Sequence, residues 1–230
     1  MFLRTTVLTC LLAGSTLAAS NITVITWNSQ DALRYTTNVQ FASFARVIDH
    51  LESDIFAFQE LPGAEDALDT LLALRDQSLP GFYVYRGENN DNFNRQAILS
   101  RYPIRDAGQA VTNTGGGGAK NFTRELLWAN IAAPDGTYLN AYSAHLKAGT
   151  EGSDVFLRQT EADAIAQYIE DLQDANANEQ IVLVGDMNTD PEYAASGIAL
   201  DILQGEESGH PDPDLTLTDA DDLDGEDWTW

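Results

Sequence analysis

The sequence predicts an α/β fold in which a pair of mixed β-sheets is flanked by outer helices. Three observations carry that reading. Ile181–Val184 (IVLV) is an unbroken apolar run, suited to a strand covered on both faces. The segments 38–51, 63–77 and 153–172 instead place apolar residues at helical spacing. Strands and helices do not strictly alternate, and one hairpin intervenes, so a mixed sheet pair fits better than a plain parallel wind.

The elements follow in order. Asn21 to Trp27 (NITVITW) reads as a first strand, closed by Asn28. Asn38 to Leu51 is a helix with Phe44, Val47, Ile48 and Leu51 on one face. Asp54 to Gln59 (DIFAFQ) is a second buried strand, ending at Glu60. Gly63 to Gln77 is helical, with Leu68, Leu71, Leu72 and Arg75 aligned. Phe82 to Arg86 and Gln96 to Ser100 are the next strands, separated by the polar loop 88–92. The glycine run 115–118 suits a surface loop, because no lysine and helix start follow it as in a phosphate-binding loop.

Glu125 to Ala132 and Tyr138 to His145 form a hairpin around Pro134-Asp-Gly136. In its second strand Leu139, Ala141, Ser143 and His145 share one face, which puts the imidazole at the end of an inward row. Ser153 to Leu172 is the longest helix, with Leu157, Ile165, Tyr168, Ile169 and Leu172 as its core stripe. The run at 181 then stops at Gly185, and Asp186 and Asn188 follow one residue apart. If strand geometry persists, both point the same way; an Asx turn is the competing structural role. No repeat or linker divides residues 21–230, so one domain is expected.

Composition bounds the function. Hydrophobic content of 43% is ordinary for a globular chain of 230 residues, but a net charge of −24 is not. Diffuse attraction to a polyanion is excluded, so a nucleic-acid substrate needs metal ions or a local cationic group. Residues 1–20 read as a secretory signal: Arg4, an apolar stretch from Val7 to Leu17, then Ala18-Ala19-Ser20. Removing them also removes Cys10, leaving a mature chain without thiol or disulfide chemistry. A secreted or periplasmic monomer, without a transmembrane segment or a stable protein partner, is expected. The last 45 residues hold 14 acidic side chains and no Lys or Arg. Within them Asp219–Asp227 breaks the calcium-loop pattern at Ala220 and reads as a solvated loop.

Asn28, Glu60, His145, Asp186 and Asn188 thus stand at the ends of four strands. Any one alone reads as a cap or an ordinary surface group. Delivered together, carboxylate and amide oxygens suit Mg²⁺ or Mn²⁺, and a hard cation beside an imidazole suits phosphate ester hydrolysis.

With these pieces in hand, the chain resembles the endonuclease/exonuclease/phosphatase superfamily, the deoxyribonuclease-I-like proteins. The matching motifs are Thr26-Trp-Asn28, Phe58-Gln-Glu60, Ala97-Ile-Leu-Ser-Arg-Tyr-Pro103, Ser143-Ala-His-Leu-Lys147 and Gly185-Asp-Met-Asn188, in family order. The resemblance implies a four-layer α/β sandwich. It implies Glu60 and Asn28 at the metal, with Glu60 the principal ligand. Asp186 and Asn188 would position water and the scissile phosphate, His145 would stabilise or protonate the departing side, and Arg124 would touch phosphate. The implied activity is a secreted phosphodiesterase, with nucleic acid as the expected substrate. A sphingomyelinase-like enzyme and a non-catalytic binding module are the alternatives. The family's closing Ser-Asp-His segment has no counterpart before Trp230, so the sandwich is expected to lack its last strands. His210, the one late histidine, sits in a proline- and Asp-rich loop that makes it a poor substitute.

Overall fold

A computed structural model describes residues 6–10, 21–37, 39–62, 66–88, 94–110, 123–189 and 194–216. In chain order its strands are β1 (Thr6–Cys10), β2 (Ile22–Asn28), β3 (Ile55–Pro62), β4 (Tyr83–Arg86), β5 (Asn94–Ser100), β6 (Ile104–Gln109), β7 (Leu127–Ala132), β8 (Tyr138–His145) and β9 (Ile181–Asp186). Its helices are α1 (Val39–Ile48), α2 (Asp66–Ser78), α3 (Gly152–Ala175) and α4 (Ala194–Leu203). A 3-10 turn at Gln30–Leu33 follows β2. One sheet runs β1-β2-β3-β5-β4 and the other β6-β7-β8-β9.

Period-two alternation sorts the strand residues into layers. From β2 and β3, Ile22, Val24, Ile55 and Ala57 face the second sheet, where they meet Leu127, Ala129, Leu139, Ala141, Val182 and Val184. Their neighbours Ile25, Trp27, Phe56 and Phe58 face the other way, onto Phe41, Phe44 and Ile48 of α1 and Leu71 and Leu74 of α2. On the far side Tyr142 and Ala144 of β8 pack on Ala162, Ile165 and Ile169 of α3 and on Ala199 and Ile202 of α4. Three apolar seams between four layers make the α/β sandwich that the motifs imply.

Several sequence expectations shift in detail. The core face of α2 is rotated: Leu71 is buried as expected, but its buried partner is Leu74, while Leu68, Leu72 and Arg75 are only partly buried. Strand β6 and helix α4 were not anticipated. Consecutive Arg105 and Asp106 hide the first, and the small residues of Ala194-Ala-Ser-Gly197 hide the second. Strand β9 is covered on both faces, as its apolar run requires, yet it lies at the edge of its sheet among the described residues.

Thr6–Cys10, within the segment read as an export leader, pairs antiparallel with β2 from Thr6↔Thr26 to Cys10↔Ile22. Cleavage of the leader would therefore make β2 an edge strand. The cleavage residues 18–20, most of the 88–92 loop, the glycine run and the acidic 219–227 stretch lie outside the described residues.

What positions the site is a pair of parallel strand pairs. Strands β2 and β3 run parallel across the α1 crossover, with Asn28 opposite Gln59. Strands β8 and β9 run parallel across α3, with His145 opposite Asp186. Parallel neighbours end at the same rim of a sheet, and in α/β folds the rim at the strands' carboxyl ends is where ligands bind. Here the two sheets present that rim to each other.

Candidate active site

Glu60 reaches the rim through a bulge. Between the pairs Phe58↔Ala97 and Leu61↔Arg95, two residues of β3 oppose one of β5. Glu60 itself takes φ of +57°, a left-handed conformation rare for a non-glycine side chain. A bulge re-aims a side chain in this way. Asn188 is also left-handed, at φ +49°, just after β9 ends. Backbone strain of this kind, at roughly 1–2 kcal/mol per residue, persists only where surrounding contacts enforce it, and it clusters at functional sites.

The polar side chains converge. Asn28 Nδ2 donates to Glu60 Oε1 and to Asp186 Oδ2, at 2.8 Å each, so one amide spans the two sheets and bridges both carboxylates. Its Oδ1 accepts the Gln30 backbone N–H at 3.1 Å, which turns the nitrogen inward. His145 Nε2 lies 3.7 Å from Glu60 Oε1 and 3.8 Å from Asp186 Oδ2, with the ring only 1% exposed. The carboxylates are 28% and 21% exposed, open enough for a ligand to enter from solvent. Ligand atoms of Glu60, His145 and Asp186 all lie within 4.8 Å of one another. The two carboxylate oxygens form a donor pair that fits a hard divalent cation, which would offset the repulsion between Glu60 and Asp186, while the imidazole beside them is left to act on the substrate.

The two roles weighed for the 186–188 stretch coexist. Asp186 Oδ1 accepts the Asn188 N–H at 3.0 Å, an Asx turn, while Oδ2 faces the site. Because the strand has ended, Asn188 does not point alongside Asp186. Its Nδ2 instead donates to the Leu146 carbonyl at 2.9 Å, one residue past His145. Arg124 Nη1 donates to the same carbonyl at 3.0 Å and to that of His145 at 3.4 Å. All six sequence-derived site residues, Asn28, Glu60, Arg124, His145, Asp186 and Asn188, therefore belong to one contact network. His210 does not join it; its Nδ1 pairs with Asp163 on α3.

Beneath the rim runs a buried polar chain that sequence reasoning missed. Gln59 Nε2 donates to Thr26 Oγ1 at 3.1 Å and across the sheet interface to Ser143 Oγ at 3.0 Å. Ser143 Oγ donates to Gln96 Oε1 at 2.8 Å, and Gln96 Nε2 donates to the Glu125 carbonyl at 2.5 Å. Gln59, Gln96 and Ser143 are almost wholly buried. A fully connected buried network fixes strand register, and here it does so directly under the ligand groups. The available signal was the polar residue inside otherwise apolar strands, at Gln59 and Gln96.

The strain at Glu60 gives a test separable from chemistry. Glu60→Gly and Glu60→Ala are both expected to weaken Mg²⁺ or Mn²⁺ binding at least tenfold by calorimetric titration. Only the glycine relieves the left-handed backbone, so Glu60→Gly should be more stable than Glu60→Ala by about 1 kcal/mol, or roughly 2–4 °C in melting temperature. Equal melting temperatures would mean that the position is not strained.

The sequence profile of the Endonuclease/Exonuclease/phosphatase family matches residues 25–230. No curated protein matches the sequence. Among solved structures, the fold is similar to a magnesium-bound double mutant of Staphylococcus aureus beta toxin. The TM-score is 0.55 and the identity 18%, over 80% of this chain and 70% of that one. It is similar also to sphingomyelinase C from Streptomyces griseocarneus, at TM-score 0.56 and 20% identity over 77% and 68% of the two chains. Truncated Caenorhabditis elegans TDP2 matches at TM-score 0.56 and 16% identity, over 74% of this chain and 63% of that one. At such identities the likeness is one of fold, and function has to be argued from the site.

Proposed function

The chain belongs to the endonuclease/exonuclease/phosphatase family, and from that premise we propose that it is a divalent-metal-dependent phosphodiesterase acting on nucleic acid. The observation that carries the reading is the meeting of Glu60, His145 and Asp186 at the carboxyl ends of two facing parallel strand pairs. Glu60 would be the principal metal ligand, and Asn28 would stand beside it holding the Glu60 and Asp186 oxygens through its Nδ2, since its Oδ1 is turned to the Gln30 N–H and an amide NH₂ does not itself ligate a cation. Magnesium is the preferred ion on the strength of the magnesium-bound beta toxin neighbour. When bound, the cation supplies charge to offset that of a phosphoryl oxygen.

The chain's own groups divide the remaining work. Asp186, held by the Asn28 amide and the Asn188 N–H, keeps a fixed carboxylate oxygen to orient a water molecule and accept its proton. His145, buried and locked in the β8–β9 register, offers an N–H to the departing oxygen or the phosphoryl group. Asn188 and Arg124, both anchored on the Leu146 carbonyl, stand together beside the carboxylates and receive the phosphate through N–H groups, the only kind a guanidinium offers. A chain of net charge −24 has no diffuse pull on a polyanion, so this local cluster and its cation must supply the attraction.

Nucleic acid is favoured over a membrane lipid by the surface around the site. The exposed large apolar residues among the described ones are Tyr35 between β2 and α1, Val39 at the start of α1, Tyr83 on β4, Tyr138 at the start of β8 and Phe156 on α3. The β7–β8 hairpin turn lies at the opposite end of β8 from His145, so that hairpin cannot dip into a bilayer beside the site. No helix among the described residues is long and apolar enough to cross a membrane. Export through the leader at residues 1–20 to a secreted or periplasmic location, and action as a monomer, complete the proposal.

The test is hydrolysis of plasmid DNA, RNA and bis-nitrophenyl phosphate by the purified protein, beside sphingomyelin vesicles, with Mg²⁺ or Mn²⁺ and with EDTA. Turnover of nucleic acid that EDTA abolishes is expected. Turnover confined to sphingomyelin would move the substrate to lipid, and no EDTA-sensitive hydrolysis at all would leave a binding module.

A further inference from the structure

One buried carboxylate has no place in the chemistry above, and its contacts say what it does. Glu161 and Arg158 lie one turn apart on α3, at 1% and 2% exposure, where an apolar stripe was expected. Glu161 Oε1 accepts the Thr123 N–H at 2.6 Å and Oε2 accepts the Lys147 N–H at 2.6 Å. Arg158 Nη1 donates to the Lys147 carbonyl at 2.6 Å and to that of Gly149 at 3.1 Å. Both the N–H and the C=O of residue 147 are thus gripped by α3, two residues beyond His145. Thr123 immediately precedes Arg124, and Leu146 is the carbonyl on which Arg124 and Asn188 both rest.

We propose that Glu161 is a positioning residue for the phosphate-binding side of the site. Its two oxygens tie the segment bearing Arg124 to the segment bearing His145 and Leu146, and so set where Arg124 and Asn188 meet the substrate. The inference rests on the phosphodiesterase reading for its catalytic consequence, but the tie itself is a matter of two backbone hydrogen bonds. Burial pushes the Glu161 carboxyl up, while the Thr123 and Lys147 donors and the nearby Arg124 charge pull it back. A carboxylate accepting two backbone N–H groups at one buried point is hard to replace. Glutamine keeps the size but has one carbonyl oxygen, and its NH₂ would face the second backbone donor.

The experiment compares wild type, Glu161→Gln, Arg124→Ala and the double variant. Amide hydrogen exchange of Glu161→Gln should be at least tenfold faster at Thr123 or Lys147, with the inter-sheet core still protected. Its kcat/KM on bis-nitrophenyl phosphate should fall 10- to 100-fold, while Mg²⁺ affinity stays within twofold of wild type. If Glu161 acts through Arg124, the double variant should lose little more than Arg124→Ala alone. The proposal is overturned if both amides exchange as in wild type. It is overturned equally if kcat/KM stays within twofold despite a lower melting temperature, or if the two losses multiply. Should wild type itself lack activity, the phosphodiesterase reading fails, and amide exchange alone decides the tie.

Discussion

Asp186→Asn and His145→Ala are each expected to lower the phosphodiesterase rate about 10³-fold without unfolding the protein. Asp186→Asn is nearly isosteric. Its remaining oxygen can still accept the Asn188 N–H, which preserves the turn. The new NH₂, however, faces Asn28 Nδ2, now donor against donor where a 2.8 Å hydrogen bond stood. The substitution also removes one of the two negative charges facing the cation position. Removing a general acid or base costs typically 10²–10⁴ in rate, and removing a preorganised charge-stabilising donor 10²–10³. His145→Ala removes a ring that is 1% exposed, so a stability loss of roughly 1–3 kcal/mol accompanies the kinetic one. That loss leaves a domain of this size folded at 25 °C.

The two residues are register partners acting on one ligand, so their effects should not multiply. A double variant no slower than about 10⁴-fold would be the signature of a shared step. Single-turnover rates with far-UV circular dichroism on the same samples make the measurement. Either single variant keeping more than about a tenth of the wild-type rate would remove that residue from the chemistry.

How far the sequence foretold this site depends on which residue is asked about. His145 was placed by local pattern alone: Leu139, Ala141, Ser143 and His145 are all buried on the inter-sheet face of β8, as alternation requires. The strand ends at Asn28 and Asp186 were legible because apolar runs stop there. The convergence of four such ends was not a property of any window, and the layer order came from the resemblance rather than from periodicity. The aim of Glu60 depends on a bulge that exists only relative to β5, so no reading of β3 alone could supply it. The same holds for α3. Hydrophobic spacing marks Leu157 and Tyr168 as core, but both are only partly buried, while Arg158 and Glu161 are almost fully buried. Their burial is tolerable because backbone groups of other segments pair with both Glu161 oxygens and with Arg158 Nη1, and partners at a sequence distance leave no trace in spacing.

Gly185→Ala should be the most disruptive single added methyl among the described glycines. Gly185 has φ of +148°, and a Cβ there would sit 1.9 Å from the Ala144 carbonyl oxygen, 2.8 Å from its carbon and 2.9 Å from its nitrogen. These are backbone atoms of the neighbouring parallel strand, paired in register with Gly185 itself. No rotamer change can relieve the contact. Restoring an ordinary C···O separation of about 3.3 Å means moving β9 and β8 apart by more than 1 Å. Overpacking of this kind costs roughly 1–3 kcal/mol, and the unfavourable backbone adds about 1–2 kcal/mol. Together they lower the melting temperature by roughly 10 °C in a domain of this size. The kinetic consequence should be as large. The displaced pair lies one residue before His145 and Asp186, and a 1 Å error in such groups costs about 10²-fold in rate. Thermal denaturation, together with initial rates read well below the variant's melting temperature, separates the two effects. A Gly185→Ala protein with wild-type stability and rate would show that the β8–β9 contact is not rigid, and the fixed spacing of His145 and Asp186 would lose its physical basis.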